Sequence, residues 1–198
     1  MRCSIFEIGL GRNGSRSICR AVKLLGLKTR HGFDNKFELR QDAVKKFLSG
    51  SYRFNLYNDC DYCGDIPVIH WKTLFENEPN AKFVLPIRPI DSWISSLLHA
   101  DTSISNKKLE DIFNEGTVNW RHIFRLHCFG TIRYEVDLIK QKYIEHTIEV
   151  TNTITDDRLL VLDIFSMKSK VVWQKLCWFL KTDVPDIEFP HVGKGGRA

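Results

Sequence analysis

The chain has 198 residues, enough to bury a full hydrophobic core within one domain spanning residues 1–198. Hydrophobic residues make up 43% and aromatic residues 12%, which excludes a disordered chain, and the formal charge of +5 suits an anionic ligand. No block of Lys/Arg marks a nucleic-acid-binding tail, no stretch nears the roughly 18 apolar residues of a membrane helix, and MRCSIFEIGLG is interrupted too soon by Glu7 to act as a signal peptide.

These features predict a soluble, cytoplasmic protein with neither a nucleic-acid nor a membrane partner. The six cysteines, Cys3, Cys19, Cys60, Cys63, Cys128 and Cys177, are scattered and fit reduced thiols. Cys60-x-x-Cys63 lacks the second Cys or His pair that zinc requires, so no metal site is expected. The two read as loop cysteines near a turn.

Strand and helix alternate along the chain. Ser4–Ile8 is a short apolar run ending in glycines, which reads as a buried strand. Ser17–Leu25 has apolar residues at helical spacing and is closed by Gly26; Leu27–His31 reads as a second strand. A helix is expected over Glu38–Leu48 and a short strand or turn at Pro67–Ile69. Lys82–Arg88 (KFVLPIR) reads as a strand, with Asp91-Ser92 capping a helix that runs through Leu98. Residues 118–150 carry helical periodicity with a break near Gly130. Arg158–Ile164 reads as a buried strand and Val171–Leu180 as a last amphipathic helix. Near-continuous apolar strands alternating with helices predict a parallel sheet covered on both faces.

The strongest local signal is the segment Gly9-Leu10-Gly11-Arg12-Asn13-Gly14-Ser15-Arg16-Ser17 between a predicted strand and a predicted helix. Such a loop aims several backbone N–H groups and a helix N-terminus at one point, where an anion fits. An ordinary tight strand–helix turn is the plain alternative. Gly9, Gly11 and Gly14 match the dinucleotide fingerprint G-x-G-x-x-G, with Asp34 downstream, but the second strand runs into Lys28-Thr29-Arg30-His31 where its acidic selector belongs. Gly9 and Gly14 also match the Walker A spacing, but Ser15 stands where the lysine must be and the cation sits inside the loop, at Arg12.

Gly11-Arg12-Asn13-Gly14-Ser15-Arg16-Ser17 resembles the phosphosulfate-binding loop of sulfotransferases that use 3′-phosphoadenosine 5′-phosphosulfate (PAPS). Asn13 departs from the Ser/Thr usual there. KFVLPIRPIDSWISS resembles the strand–turn–helix by which that family grips the 3′-phosphate, with Arg88 ending the strand and Ser96 on the helix. A surface ion pair is the plain alternative for Arg88, and Ser95 lies beside Ser96. The region from Tyr143 through RLLVLDI, Trp173 and Phe179 to Phe189-Pro190-His191 resembles one branch of the family, mostly through residues read first as packing.

The resemblance implies a three-layer α/β/α fold of the P-loop NTPase type, with a central, mainly parallel sheet and no metal. It implies PAPS as cosubstrate, leaving adenosine 3′,5′-bisphosphate, and an acceptor hydroxyl or amine not identified by the sequence. Lys194 and Arg197 of the closing Val192-Gly193-Lys194-Gly195-Gly196-Arg197 fall where relatives fold a basic segment onto the 3′-phosphate; a frayed basic tail is the alternative. Arg12 is assigned an electrostatic role at the leaving phosphate, because a guanidinium gives up its proton too reluctantly to be a general acid. Gly64-Asp65-Ile66-Pro67 falls where relatives carry a base, which puts Asp65 first, His70 second and His31 third. Two rivals remain at this point, a Rossmann oxidoreductase binding NAD(P) and a degenerate P-loop module that binds nucleotide without turnover.

Overall fold

The computed structural model describes residues 2–33, 36–100, 120–133, 135–155 and 157–192. Five short parallel strands form one sheet: β1 (Ile5–Glu7), β2 (Thr29–His31), β3 (Tyr62–Gly64), β4 (Lys82–Ile87) and β5 (Leu159–Asp163), in the order β2-β3-β1-β4-β5. The helices are α1 (Ser15–Leu24), α2 (Phe37–Leu48), α3 (Trp71–Asn77), α4 (Ile90–Ala100), α5 (Trp120–Phe129), α6 (Val136–Thr153) and α7 (Ser169–Leu180).

Successive strand residues face opposite sides of the sheet, and they sort the core into two layers. Ile5, Tyr62, Val84, Leu160 and Leu162 pack with α1 and α7. Phe6, Cys63, Phe83 and Leu85 pack on the other face, against α2 to α6. Both faces are therefore buried, which is why these strands read as unbroken apolar runs.

The strand order bears on the dinucleotide reading. A Rossmann unit places its second strand beside its first, whereas here β3 lies between β1 and β2. The first glycine turn is thus not followed by an adjacent strand that would carry a ribose-binding acid. Asp34, the other part of that reading, lies outside the described residues.

Several elements differ from their predicted form. Helix α1 begins at Ser15, because left-handed Gly14 (φ 84°) serves as its N-cap. Of the strand or turn expected at Pro67–Ile69 the chain takes the turn, a 3₁₀ turn over Pro67–His70. Asp91 falls in the first turn of α4, which starts at Ile90. The expected break near Gly130 is present: Gly130 (φ 70°) follows the end of α5 and separates it from α6. The short strand β3 was not predicted at all, and it corrects the reading of the cysteines. Cys63 lies inside it, Cys60 is also buried, and the Cys60 thiol lies against those of Cys3 and Cys63. None of the six cysteines forms a disulfide. Among the described residues no His, Cys, Asp or Glu group is arranged to hold a metal ion, and no helix is long and apolar enough to cross a membrane.

Trp173 fastens the closing segment to the sheet. Its indole is 1% exposed, donates to the Ile187 carbonyl at 2.8 Å and meets the Phe189 ring edge-on. Trp173→Ala should lower unfolding stability by about 3–5 kcal/mol, while Trp178→Ala on the exposed side of the same helix should change it by less than about 0.5 kcal/mol, read by urea denaturation. Equal effects would contradict this packing.

Candidate active site

The C-terminal ends of β1, β3 and β2 meet at one edge of the sheet, where ligands bind in open α/β folds. Ile8 continues the β1 ladder by donating its amide to Val84, and His146 Nε2 donates to the Ile8 carbonyl at 2.7 Å. The chain then passes over β4 so closely that a Cβ at Gly9 would lie 2.5 Å from Pro86 Cγ. At Gly14 a Cβ would lie 2.3 Å from Ile164 Cδ1, and φ is +84°. These two positions admit only glycine. Helix α1 opens without a side-chain cap and without an acidic residue in its first turn, so its N–H groups and dipole favour an anion.

Arg12 has φ of 76° and Asp65 has φ of 75°. Left-handed backbone is costly for residues with a Cβ, and such strain persists where the surroundings over-determine it, often at functional sites. Both residues lie at this edge. Asp65 Oδ1 is 3.9 Å from the Cβ position at Gly11, and Oδ2 is 3.5 Å from that at Gly32. The carboxylate therefore faces the gap between the phosphate-type loop and the end of β2. His31, at that strand end, hydrogen-bonds Ser15 Oγ through Nε2 at 2.8 Å.

The segment after β4 approaches the loop from the other side. Arg88 donates from Nη1 to the Arg12 carbonyl at 3.3 Å and from Nε to Ser92 Oγ at 2.9 Å, and its guanidinium lies 4.2 Å from the centre of the Phe165 ring. Tyr143 clamps the Arg88 backbone, accepting its N–H at 2.8 Å and donating to its carbonyl at 2.9 Å. Arg12 donates from Nε to Ser96 Oγ at 3.3 Å, and Trp93 Nε1 donates to the Gly11 carbonyl at 2.8 Å. Desolvation first, and the neighbouring Arg12 charge second, lower the Arg88 pKa from its usual value. No ion pair among the described residues includes Arg12 or Arg88. Of the two adjacent serines, Ser96 turns to the loop and Ser95 is exposed.

The remaining loop residues divide by burial. Asn13 is 1% exposed and its side chain bonds Tyr143, leaving Oδ1 without a partner among the described residues. Ser15 and Ser17 are buried and Arg16 is exposed on the first turn of α1. Ser17 Oγ accepts the Val192 amide at 2.9 Å, which brings the closing segment to that turn. Lys194 and Arg197 lie outside the described residues.

His70 sits in different surroundings. Its Nε2 hydrogen-bonds the Tyr57 hydroxyl at 2.7 Å, its ring packs 4.6 Å from that of Phe54, and Nδ1 is buried without a partner. Burial first, and His127 second, push it down to about 3. It lines a cavity of about 490 Å³ together with His127, His146 and Lys72, and no contact joins it to Arg12 or Arg88.

Sequence reasoning missed Ser92, Tyr143, Phe165 and Glu7. Ser92 had a signal, since it lies one helical turn before Ser96. Glu7 had none, because an acid in an apolar strand looks like an interruption. It is 0% exposed; Oε2 accepts the Asp65 amide at 3.2 Å, the Gly9 amide lies beside the carboxyl, and Oε1 has no partner among the described residues. Burial first, then the Asp65 charge, raise its pKa well above the ordinary 4.5. The folded state thus keeps a proton that the unfolded chain releases, so this group's contribution is complete below pH 4.5 and is lost as pH rises toward the folded value. Glu7→Gln has no such proton to keep, so its urea midpoint should gain on the wild type's as pH rises from about 5 to about 8. Midpoints that stay parallel would show an ionised Glu7.

A family model described as "Sulfotransferase domain" matches residues 4–198. "Ava biosynthesis cluster protein M" from Aspergillus versicolor is 24% identical over 212 residues, covering 95% of this chain and 80% of that relative. The crystal structure of a sulfotransferase from Alicyclobacillus acidocaldarius shares the fold, with a TM-score of 0.57 at 12% identity over 99% of this chain and 87% of the other. With a glycine loop ending β1, a second arginine delivered beside it and a sequence match across nearly the whole chain, the protein belongs to the sulfotransferase domain family.

Proposed function

We propose that the chain moves a sulfuryl group from PAPS to an acceptor hydroxyl or amine, with Arg12, the loop N–H groups and Asp65 around the reacting atoms. The observation that carries this reading is the convergence of Arg12 and Arg88, two like charges held together without a carboxylate partner among the described residues. Such a pair is offset by a ligand with two anionic groups. Arg88 and Ser96, with Ser92 orienting the guanidinium, suit a 3′-phosphate, since the planar fork of arginine matches phosphate oxygens. Residues Gly11 to Ser17 suit the 5′-phosphosulfate. Lys194 remains proposed as a further 3′-phosphate ligand.

The donor supplies a sulfur–oxygen bond to a phosphate leaving group. In the transfer a bond forms from the acceptor oxygen or nitrogen to sulfur while the bond from sulfur to the bridging oxygen breaks, with the two roughly in line. Charge growing on that oxygen is stabilised by Arg12 and the amides at the start of α1. The acceptor proton passes to Asp65, whose carboxylate faces the loop at Gly11. Asp65 is preferred to His70, which is committed to Tyr57 and packed against Phe54. His31 is placed to orient Ser15.

Adenosine 3′,5′-bisphosphate at a hundred times its Kd should stabilise the protein by about 2.7 kcal/mol in a thermal-shift panel, with NAD and ATP-Mg giving little. Stabilisation by NAD alone would overturn the reading. Arg88→Ala should weaken bisphosphate binding about 10- to 100-fold by calorimetry, the loss of charge-assisted hydrogen bonds. Unchanged affinity would remove Arg88 from the phosphate site. Asp65→Asn should lower kcat by about 10²- to 10⁴-fold with bisphosphate affinity nearly intact. Wild-type turnover in that variant would reject Asp65 as base. Bisphosphate binding with no transfer to any acceptor in a broad screen would favour a non-catalytic module.

A further inference from the structure

We infer that Glu7 is a positioning residue that ties the phosphate-binding loop to the strand end bearing Asp65, fixing the base against the site of transfer. The inference rests on the proposed role of Asp65 and adds how that side chain is held.

The geometry comes from the central strand. Glu7 shares a sheet face with Ile5, the face covered by α1, and its carboxyl lies between β1 and β3. There it accepts the amide hydrogen of Asp65, just past β3, at 3.2 Å, and lies beside the amide of Gly9 at the start of the loop. Asp65 has φ of 75°, a left-handed conformation that costs a residue with a Cβ more than it costs glycine, and the bond from its N–H to Glu7 helps to hold it. The approach is tight, since a Cβ at Gly64 would lie 2.7 Å from Glu7 Oε2. Glycine at position 64 is thus matched to glutamate at position 7.

No ion pair among the described residues includes Glu7, and its Oε1 is buried without a partner. A charge there would be uncompensated, and the oxygen that accepts the Asp65 amide serves as an acceptor without one. Glutamine preserves that acceptor and the side-chain length, whereas leucine preserves only the bulk.

Three measurements test this on the full chain. Amide hydrogen exchange at Gly9 and Asp65 should be at least about tenfold faster in Glu7→Leu than in wild type, and close to wild type in Glu7→Gln. With PAPS and a competent acceptor, Glu7→Leu should lose about 10- to 100-fold in kcat with KM for PAPS changed less than about threefold, because misplacing a base costs the chemical step rather than binding. Glu7→Gln should recover most of that loss. Should Glu7→Leu fold poorly, Gly64→Ala applies the opposite perturbation, pushing the carboxyl away, and should give the same split. Unchanged exchange at both amides, or a failure of glutamine to rescue, overturns the inference. If Asp65→Asn turns over normally, the base assignment falls instead, while the exchange data still decide what Glu7 holds.

Discussion

Two guanidinium groups that repel each other are held side by side at the mouth of the sheet, and much of the surrounding architecture serves to keep them there. Arg12 stands on a left-handed residue inside the loop, and its Nε–H is directed to Ser96. Arg88 is clamped through its backbone by Tyr143 and stacked on Phe165. Each device belongs to a different element, so the pair exists only in the folded chain. Bringing like charges together and partly desolvating them costs free energy, and an anion recovers that cost on binding. The doubly anionic donor proposed above would meet this requirement better than a single phosphate would.

Opposite this cationic wall lies an acidic one. Asp65 sits half-buried at the end of β3, and Glu7 lies fully buried beneath it. Burial first, and the nearby Asp65 charge second, raise the Glu7 pKa well above its ordinary value, so the buried carboxyl gives up its proton less readily than it would in water. The site is therefore polarised, with two guanidinium groups on the α4 side and carboxyl groups on the β3 side. The in-line transfer proposed above would use that polarity, with charge stabilised on one side and a proton accepted on the other.

The order β2-β3-β1-β4-β5 makes that polarity possible. With β1 central, the loop following it is flanked by β3 on one side and β4 on the other. The residues following β3 and β4, Asp65 and Arg88, then reach the loop from opposite directions. Had β2 lain next to β1, as in a dinucleotide-binding unit, His31 would occupy the place of Asp65.

Local sequence was enough to place the glycine loop between a strand and a helix, to mark Arg88 at the end of KFVLPIR, and to foretell a parallel sheet buried on both faces. These features rest on nearest-neighbour chemistry: glycines allow close approach, and apolar runs need cover. Tertiary structure alone decided the rest. Strand β3 spans only Tyr62–Gly64, too short for any periodicity, and exists because β1 and β2 pair with it from both sides. The choice of Ser96 over Ser95, the diversion of His70 to Tyr57, and the capture of Asp65 by Glu7 all depend on groups distant in the chain. Hydrogen bonds and burial between such groups leave no local pattern, so a glutamate that looks like a flaw in an apolar strand takes its meaning only once the sheet has closed around it.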